Sequence, residues 1–265
     1  MGNAAKTSDG VGRDVPAEGV VRLTLDRPPV NALSRTLVAR LHRLVTEVGR
    51  EDDVRVVVIA ARGKAFCAGA DLKERRGMSQ VEVRATVAGI GALTHAVAAL
   101  PQPTLAVISG AALGGGLELA LACDLRMAAR SARLGLPECS LAIIPGAGGT
   151  QRLARIAGVS VAKKWILSAH VGSATEALAD RIVDWVVDDD QLAATAVEQA
   201  RKMAGCGPLA LRAAKSAIDQ GLAAGSLEAG LAVEQASYQR VLPTEDRREA
   251  LRAFADKRPP RFSGR

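Results

Sequence analysis

Hydrophobic and polar residues alternate along residues 21–25, and the period then changes to that of a helix. The alternation predicts a strand with one buried face. Ser34 fits the N-cap of the following helix, whose apolar face carries Leu37, Val38, Leu41, Leu44, Val45 and Val48. Residues 54–60 are an almost unbroken apolar run, which predicts a buried strand, and residues 63–71 are a loop of small residues.

The next helix is predicted by a capping box, in which Ser79 precedes Glu82 by three residues, and it runs to about Leu100. The segments after it keep the order of strand, loop and helix: strand 104–109, loop 110–116, helix 117–124, strand 125–128, loop 137–149 and a helix from about 150. From about residue 190 the strand signals stop and the chain is helical. Repeated β-then-helix units predict one layered α/β core rather than separate domains.

Three regions follow from this change of pattern. Residues 1–18 are polar and rich in Gly and Ala, without the apolar segment of a secretory signal, and are predicted to be a flexible tail. Residues 19–195 are the predicted α/β core, and residues 196–265 are a C-terminal helical region. No apolar run reaches the length of a membrane-spanning helix, so no membrane association is expected.

Composition narrows the classes of partner. Aromatic residues make up only 2% of the chain, which argues against a stacking platform for single-stranded nucleic acid. The formal net charge of +7 suits an anionic ligand, and a solvated basic surface would give the same value. Four cysteines without a CxxC pair indicate reduced thiols in the cytoplasm, and three scattered histidines predict no metal site.

Three glycines, Gly114 to Gly116, precede the helix that begins near Leu117. Glycines let backbone N–H groups approach a ligand closely, and the first N–H groups of a helix have no internal partner. Such a turn can hold an anionic oxygen, with Glu118 on the same helix face as Gly115. A tight turn with a solvent-facing glutamate is the alternative of equal weight.

Two further segments carry candidate groups. Residues 66–71 are mostly small, so their N–H groups can supply a second donor, or the loop simply packs. Pro137 fixes the backbone before Glu138, which in apolar surroundings would hold a proton near neutral pH, or is an ordinary surface residue. Residues 146–150 match neither the dinucleotide nor the P-loop pattern and predict a helix cap. No histidine stands beside a G-x-S-x-G elbow.

Three longer blocks together resemble the enoyl-CoA hydratase/isomerase (crotonase) family. They are AFCAGADLKER at 65–75, ALGGGLELALACD at 112–124 and LAIIPGAGGTQRL at 141–153, with NAL at 31–33 and KRPPRF at 257–262 also fitting. The resemblance covers about residues 19–263. These versions of the blocks are most similar to those of methylglutaconyl-CoA hydratases.

The resemblance implies an α/β crotonase (ClpP-like) spiral of repeated ββα units, with a C-terminal helical region that packs in trimers and hexamers of two trimers. It implies an acyl-CoA thioester as substrate and no separate cofactor. Ala70 and Gly115 would supply the N–H donors of an oxyanion hole, and Glu118 and Glu138 would be the catalytic carboxylates. The residues expected to bind the substrate and its coenzyme A are Ala32, Ala68, Ala70, Asp71, Leu72, Lys73, Gly114, Gly115 and Pro137.

Because both carboxylates are present, the expected reaction is hydration of a 2-enoyl-CoA. Glu138 is the expected proton-transfer group, and Glu118 is expected to orient the water. Hydration of 3-methylglutaconyl-CoA in particular and isomerisation of a 3-enoyl-CoA are the alternatives within the family. The candidates to bind the distal carboxylate of methylglutaconyl-CoA are Arg75, Arg76 and Arg84.

RNA binding is a non-enzymatic alternative, because the methylglutaconyl-CoA hydratase group includes a member known for it through a basic helix. The matching helix, 35–50, carries a row of arginines that Ala39 and Gly49 interrupt: Arg35, Arg40, Arg43 and Arg50. Nucleic acid is therefore not expected as a partner. A ClpP-like protease shares the fold, but its Ser and His are not placed here.

Overall fold

The computed structural model describes residues 10–265. Within this range the strands are β1 (Val11–Ala17), β2 (Val20–Leu25), β3 (Val56–Ala61), β4 (Ala65–Cys67), β5 (Thr104–Ile108), β6 (Ala111–Leu113), β7 (Leu125–Ala129), β8 (Arg133–Gly135), β9 (Val171–Ser173) and β10 (Trp185–Val187). The helices are α1 (Arg35–Val48), α2 (Leu72–Arg75), α3 (Gln80–Ala98), α4 (Gly115–Leu121), α5 (Gly149–Ala157), α6 (Val159–Leu167), α7 (Ala174–Ala179), α8 (Leu192–Ala204), α9 (Pro208–Ala223), α10 (Leu227–Val241) and α11 (Glu245–Ala255). A short 3-10 helix spans Pro137–Leu141.

The strands form two sheets, and the chain passes repeatedly from one sheet to the other. The first has the order β1-β2-β3-β5-β7-β10 and the second the order β4-β6-β8-β9. In each of the pairs β3–β4, β5–β6 and β7–β8, the first strand joins the first sheet and the second strand joins the second. A helical segment follows each pair. This repetition confirms the predicted spiral of ββα units.

The core of the spiral is aliphatic. β5 is buried along its whole length, and β3 is buried over its first four residues, as expected for parallel strands covered on both faces. Helix α1 buries the predicted apolar face, and the Ser34 side chain accepts a hydrogen bond from the Leu37 N–H as its N-cap. The capping box of Ser79 and Glu82 is confirmed at the start of α3.

Parallel pairing of β4 with β6 positions the loops of the later site. Cys67 lies opposite Ala112 in this pair. Because the strands are parallel, both carboxyl ends point to the same edge of the sheet. The loop after β4 and the turn after β6 are therefore neighbours, although about 45 residues separate them in sequence. A Cβ built on Gly69 would lie 3.3 Å from the backbone nitrogen of Gly115.

The predicted boundary at residue 195 falls inside α8. The side chains of this helix that are buried in the core are Leu192, Ala196, Ala200 and Ala204. Helix α8 therefore belongs to the core, and the separate helical region begins with α9. Arg55 attaches that region to the core, because its guanidinium donates to the backbone oxygens of Ala204 and Phe262 at 3.0 and 2.7 Å.

Helices α9 and α10 pack against each other at two glycines. A Cβ built on Gly221 would lie 3.6 Å from the Cα of Gly230, so the two backbones approach closely. A groove of about 950 Å³ follows the pair. Its large exposed apolar side chains are Ile218, Leu222, Leu227, Leu231 and Tyr238. An exposed apolar surface of this kind is typical of interaction sites.

Two predictions about the first part of the chain are wrong. Residues 11–17 of the supposed flexible tail form β1, which pairs antiparallel with β2 and buries Val11; residues 1–9 of that tail lie outside the described residues. The supposed loop at 63–71 contains β4 and ends at α2. A strand of three residues is too short for a periodic signal, which is why β4, β6, β8, β9 and β10 escaped the sequence analysis.

Candidate active site

The turn between β6 and α4 is built from glycines for steric reasons. Gly114 has φ 51°, in the region that favours glycine, and a Cβ there would lie 2.9 Å from Oε1 of Glu138. A Cβ on Gly116 would lie 2.1 Å from the backbone oxygen of Cys67. The glycines thus allow α4 to begin directly against the loop after β4, with the Glu138 carboxylate above the turn.

The loop after β4 is held in place by backbone pairing and by Asp71. The Leu33 N–H donates to the Gly69 oxygen, and the Asp71 N–H donates to the Leu33 oxygen. The Asp71 side chain accepts from the N–H groups of Lys73 and Glu74 as N-cap of α2 and forms an ion pair with Arg27 at 2.7 Å. Burial raises the pKa of Asp71, but these hydrogen bonds and the Arg27 charge outweigh it and hold the pKa below its ordinary value.

Two backbone N–H groups at this junction are free. Among residues 10–265, neither the Ala70 N–H nor the Gly115 N–H donates a hydrogen bond. The Gly115 N–H is the first of α4, where a helix has no internal acceptor. A Cβ built on Gly115 would lie 3.7 Å from the Ala70 nitrogen, so both groups belong to one small region. The pair can receive one developing oxyanion.

Glu118 is a buried carboxylate with two backbone donors. Its side chain is only 3% exposed. Oε1 accepts from the N–H groups of Ala147 and Gly149, at 2.7 and 2.8 Å. Burial raises the pKa of Glu118. These hydrogen bonds and the positive charge of Arg152 reduce that rise without cancelling it, so the pKa stays above its ordinary value.

Glu138 differs from Glu118 in its hydrogen bonding. It lies on the 3-10 helix, half-buried, and its Oε2 is buried without a hydrogen-bond partner among the described residues. Burial raises its pKa to about 7; its own backbone N–H lowers the value and the negative charge of Glu118 raises it. A carboxyl group with this pKa can hold a proton up to near neutral pH, as the sequence analysis expected for Glu138 in apolar surroundings.

A cavity of about 750 Å³ brings these groups together. The predicted site residues that line it are Ala68, Ala70, Leu72, Gly114, Gly115, Glu118, Pro137 and Glu138. Ala32, Asp71 and Lys73 do not line it: Ala32 and Asp71 anchor Arg27, and Lys73 is exposed on α2. The remaining wall is mainly apolar, with Val83, Val87 and Ile90 from α3.

One of the three candidate arginines reaches this cavity. Arg75 lines it, and its Nε is buried without a hydrogen-bond partner among the described residues. Arg76 and Arg84 are exposed and lie outside the lining. On α1, Arg35 forms an ion pair with Glu74 and Arg43 lies 4.0 Å from Glu47, so the arginine row of that helix is partly neutralised as well as interrupted.

Sequence reasoning missed the donors to Glu118. The segment 146–150 was predicted only to cap a helix; Gly148 does stand as N-cap of α5, with φ 103°. The same turn presents the Ala147 and Gly149 N–H groups to Glu118, and a Cβ on Gly149 would lie 3.0 Å from Oε1 of that glutamate. Two glycines at a helix start were the available signal, because they leave the N–H groups accessible.

Two further properties concern what else the chain can hold. Within residues 10–265, no group of three or more His, Cys, Asp or Glu side chains is arranged to bind a metal ion. In the same range, no helix has the length and apolar character needed to cross a membrane. The polar groups that line the cavity are two carboxyl groups, backbone N–H groups and one guanidinium.

Comparison with known proteins agrees with this geometry. A family described as "Enoyl-CoA hydratase/isomerase" matches residues 16–265. Human mitochondrial methylglutaconyl-CoA hydratase is 47% identical over 252 residues, covering 93% of this chain and 74% of that protein. A putative enoyl-CoA hydratase/isomerase of Bacillus subtilis, YngF, is 46% identical and is covered to 96%. The crystal structure of an enoyl-CoA hydratase from Bacillus anthracis superposes with a TM-score of 0.95 at 46% identity, covering 97% of this chain and 100% of that one. The chain therefore belongs to the enoyl-CoA hydratase/isomerase family.

Proposed function

We propose that the protein hydrates 2-enoyl-CoA thioesters to 3-hydroxyacyl-CoA. The observation that carries the proposal is the meeting of four groups in one cavity. Two are free N–H donors, on Ala70 and Gly115, and two are carboxyl groups in different hydrogen-bonding states, on Glu118 and Glu138. A single acid is enough to move a proton from one carbon of the substrate to another. Two carboxyl groups can in addition bind a water molecule and control the proton transfers that add it to the double bond.

The N–H pair is proposed to bind the thioester carbonyl oxygen. Addition of water at Cβ places negative charge on that oxygen, as an enolate, and the two donors are fixed before the charge develops. Each such donor is worth roughly 10²–10³ in rate. The glycine at 115 leaves room for the thioester against the nitrogen of Ala70.

The glutamate pair is proposed to supply both proton transfers. The ionised Glu118 orients water and takes one of its protons as the water oxygen bonds to Cβ. Glu138, protonated because its pKa is raised to about 7, delivers its proton to Cα. The product gains the elements of one water, and the proton left on Glu118 returns to Glu138, so the pair is regenerated.

A carboxylate-bearing acyl group, as in 3-methylglutaconyl-CoA, is the substrate that the cavity favours. Arg75 places a guanidinium with an unpartnered, buried Nε in an otherwise mainly apolar wall. A guanidinium in such surroundings gains most from a bidentate carboxylate. The 47% identity to human methylglutaconyl-CoA hydratase supports the same choice.

Turnover of several substrates under the same conditions tests both the hydration reaction and the preference for a carboxylate-bearing acyl group. Crotonyl-CoA, a longer enoyl-CoA and 3-methylglutaconyl-CoA are compared by loss of absorbance of the conjugated thioester. We expect all to be hydrated and 3-methylglutaconyl-CoA to have the highest kcat/KM. Arg75→Gln should lower kcat/KM at least tenfold for this substrate and spare crotonyl-CoA, whereas the exposed control Arg76→Gln should change neither.

Two outcomes would contradict the proposal. Migration of a 3-enoyl double bond without any hydration would assign the protein to the isomerases of its family. An equal effect of Arg75→Gln on all substrates would exclude recognition of a distal carboxylate while leaving hydration intact. Cytoplasmic location and a trimeric or hexameric assembly remain part of the proposal; the named relatives include mitochondrial and bacterial proteins.

A further inference from the structure

Arg152 lies on α5, just after the turn whose N–H groups donate to Glu118. The residue is on the first turns of α5, and its side chain is half-buried between that helix and α3. Nη1 donates to the Ala147 oxygen at 2.9 Å and to Oγ1 of Thr94 at 3.3 Å. It does not line the cavity that holds the two glutamates.

The contacts of Arg152 fix the donors of Glu118. The Ala147 oxygen accepts from both Arg152 and the fully buried Thr94, the latter at 2.8 Å. The N–H of the same Ala147 and that of Gly149 bind Glu118. A Cβ built on Gly148 would lie 2.1 Å from Nη1 of Arg152, so the guanidinium lies directly against this residue. The guanidinium therefore contacts the 147–149 turn at Ala147 and at Gly148, and the N–H groups of the same turn donate to Glu118.

Two cations lie near Glu118: Arg75 lines the same cavity, and Arg152 lies on α5 beside the turn that donates to Glu118. The positive charge of Arg152 favours the ionised form of Glu118, and burial lowers the pKa of Arg152 while Glu118 raises it. The second carboxyl group, Glu138, faces Glu118 from the 3-10 helix. The nearby thiols Cys67 and Cys123 are neutral, because burial raises the pKa of each to about 12.

We propose that Arg152 is a positioning residue that decides where the proton of the glutamate pair resides. By closing the 147–149 turn on Glu118 and placing a fixed charge behind it, Arg152 keeps Glu118 ionised and leaves the proton on Glu138. The inference rests on the proposed roles of the two glutamates. It adds that their division of labour is imposed from α5, outside the cavity. Because Arg152 does not line the cavity, we expect it to act through Glu118 rather than on the substrate.

The first test uses the pH profile of hydration. On the acid side, kcat/KM falls when Glu118 becomes protonated. Arg152→Gln should move this acid limb upward by about one pH unit, the lower end of the effect of a nearby opposite charge, and lower kcat at neutral pH about tenfold. Arg152→Lys keeps the charge and should keep the limb near its wild-type position. Arg155→Gln is the control and should leave the profile unchanged. Arg155 lies one turn further along α5 and, among residues 10–265, is bonded only to Gln151.

A second test follows the proton without turnover. Infrared spectra near pH 6 should contain a protonated carboxyl band that is absent from Glu138→Gln and present in Glu118→Gln. If the wild type lacks hydratase activity but shows this band, the proposed function fails, while the assignment of the proton to Glu138 stands. An acid limb unmoved in Arg152→Gln overturns the inference, as does a wild-type band that disappears in Glu118→Gln and persists in Glu138→Gln. Should Arg152→Gln not fold, Arg152→Lys decides: it keeps the positive charge, so an acid limb displaced from its wild-type position in this variant overturns the inference.

Discussion

Replacement of Glu138 by Gln should lower activity and raise stability at alkaline pH. The side chain is half-buried, and its ionised form has a buried oxygen without a partner among the described residues. Burial raises its pKa from an ordinary 4.5 to about 7. The folded protein therefore binds this proton more tightly than the unfolded chain does, and folding stability falls as pH rises through that interval.

The magnitude follows from the same two values. Below pH 4.5 both states hold the proton and the residue costs nothing; above about pH 7 both have lost it and the cost is complete. A tenfold change in proton affinity is about 1.4 kcal/mol, so a rise from 4.5 to about 7 gives an upper value of about 3.5 kcal/mol. Solvent screening of a half-buried group reduces this to about 1–3 kcal/mol. Gln has the same shape but never ionises, so it avoids this cost.

The assay is the melting temperature of wild type and Glu138→Gln at pH 5 and pH 8.5, at equal protein concentration. The variant should gain about 2–4 °C per kcal/mol relative to wild type on going from pH 5 to pH 8.5. Its kcat should fall by roughly 10²–10⁴, the usual span for a general acid–base group. Glu18→Gln, in the exposed turn between β1 and β2, is the matched control and should change neither quantity. A pH-independent difference in melting temperature would refute the reasoning, because it would mean that Glu138 is not buried as an acid.

Other expected results test separate parts of the site and the assembly. Wild-type kcat/KM for hydration should fall above about pH 7, because Glu138 must be protonated to deliver its proton; a profile flat to pH 9 would contradict this. In steady-state kinetics, Glu118→Gln should lower kcat, and the double variant with Glu138→Gln should lose less than the product of the two single losses, because both groups act on one water. Gly114→Ala should lower kcat more than tenfold, because it strains a backbone at φ 51° and puts a Cβ 2.9 Å from Oε1 of Glu138. An unchanged kcat would show that this close approach does not matter for turnover. Light scattering should give three or six times the chain mass, and Leu222→Glu, at an apolar side chain that is 84% exposed on α9, should reduce it.

Local patterns were enough to find most of the longer elements. The helical period after Ser34 and the capping box at Ser79 were confirmed at α1 and α3, because side-chain caps and apolar faces depend on neighbours within a few residues. The apolar runs that became β3 and β5 were found for the same reason. Short strands such as β4 and β6 were not, since three residues gain their stability from pairing with another strand rather than from their own sequence.

The sequence by itself determined which groups are available for chemistry. The glycine turn before Glu118, the small-residue loop ending at Asp71 and the proline before Glu138 were visible as motifs, and three such blocks in order were enough to suggest a family. None of these motifs alone outweighed an ordinary turn or surface residue. Their meaning depended on whether they meet in space.

Only the tertiary structure decided that meeting. Parallel pairing of β4 with β6 brings the free N–H groups of Ala70 and Gly115 to one edge. Packing of α5 on α4 provides Glu118 with two donors, whereas one oxygen of Glu138 has no partner within residues 10–265. Proton affinity depends on burial and on charges within a few ångströms, and these come from residues far apart in the chain. For that reason the sequence could name two glutamates, whereas their different hydrogen bonding depends on the fold.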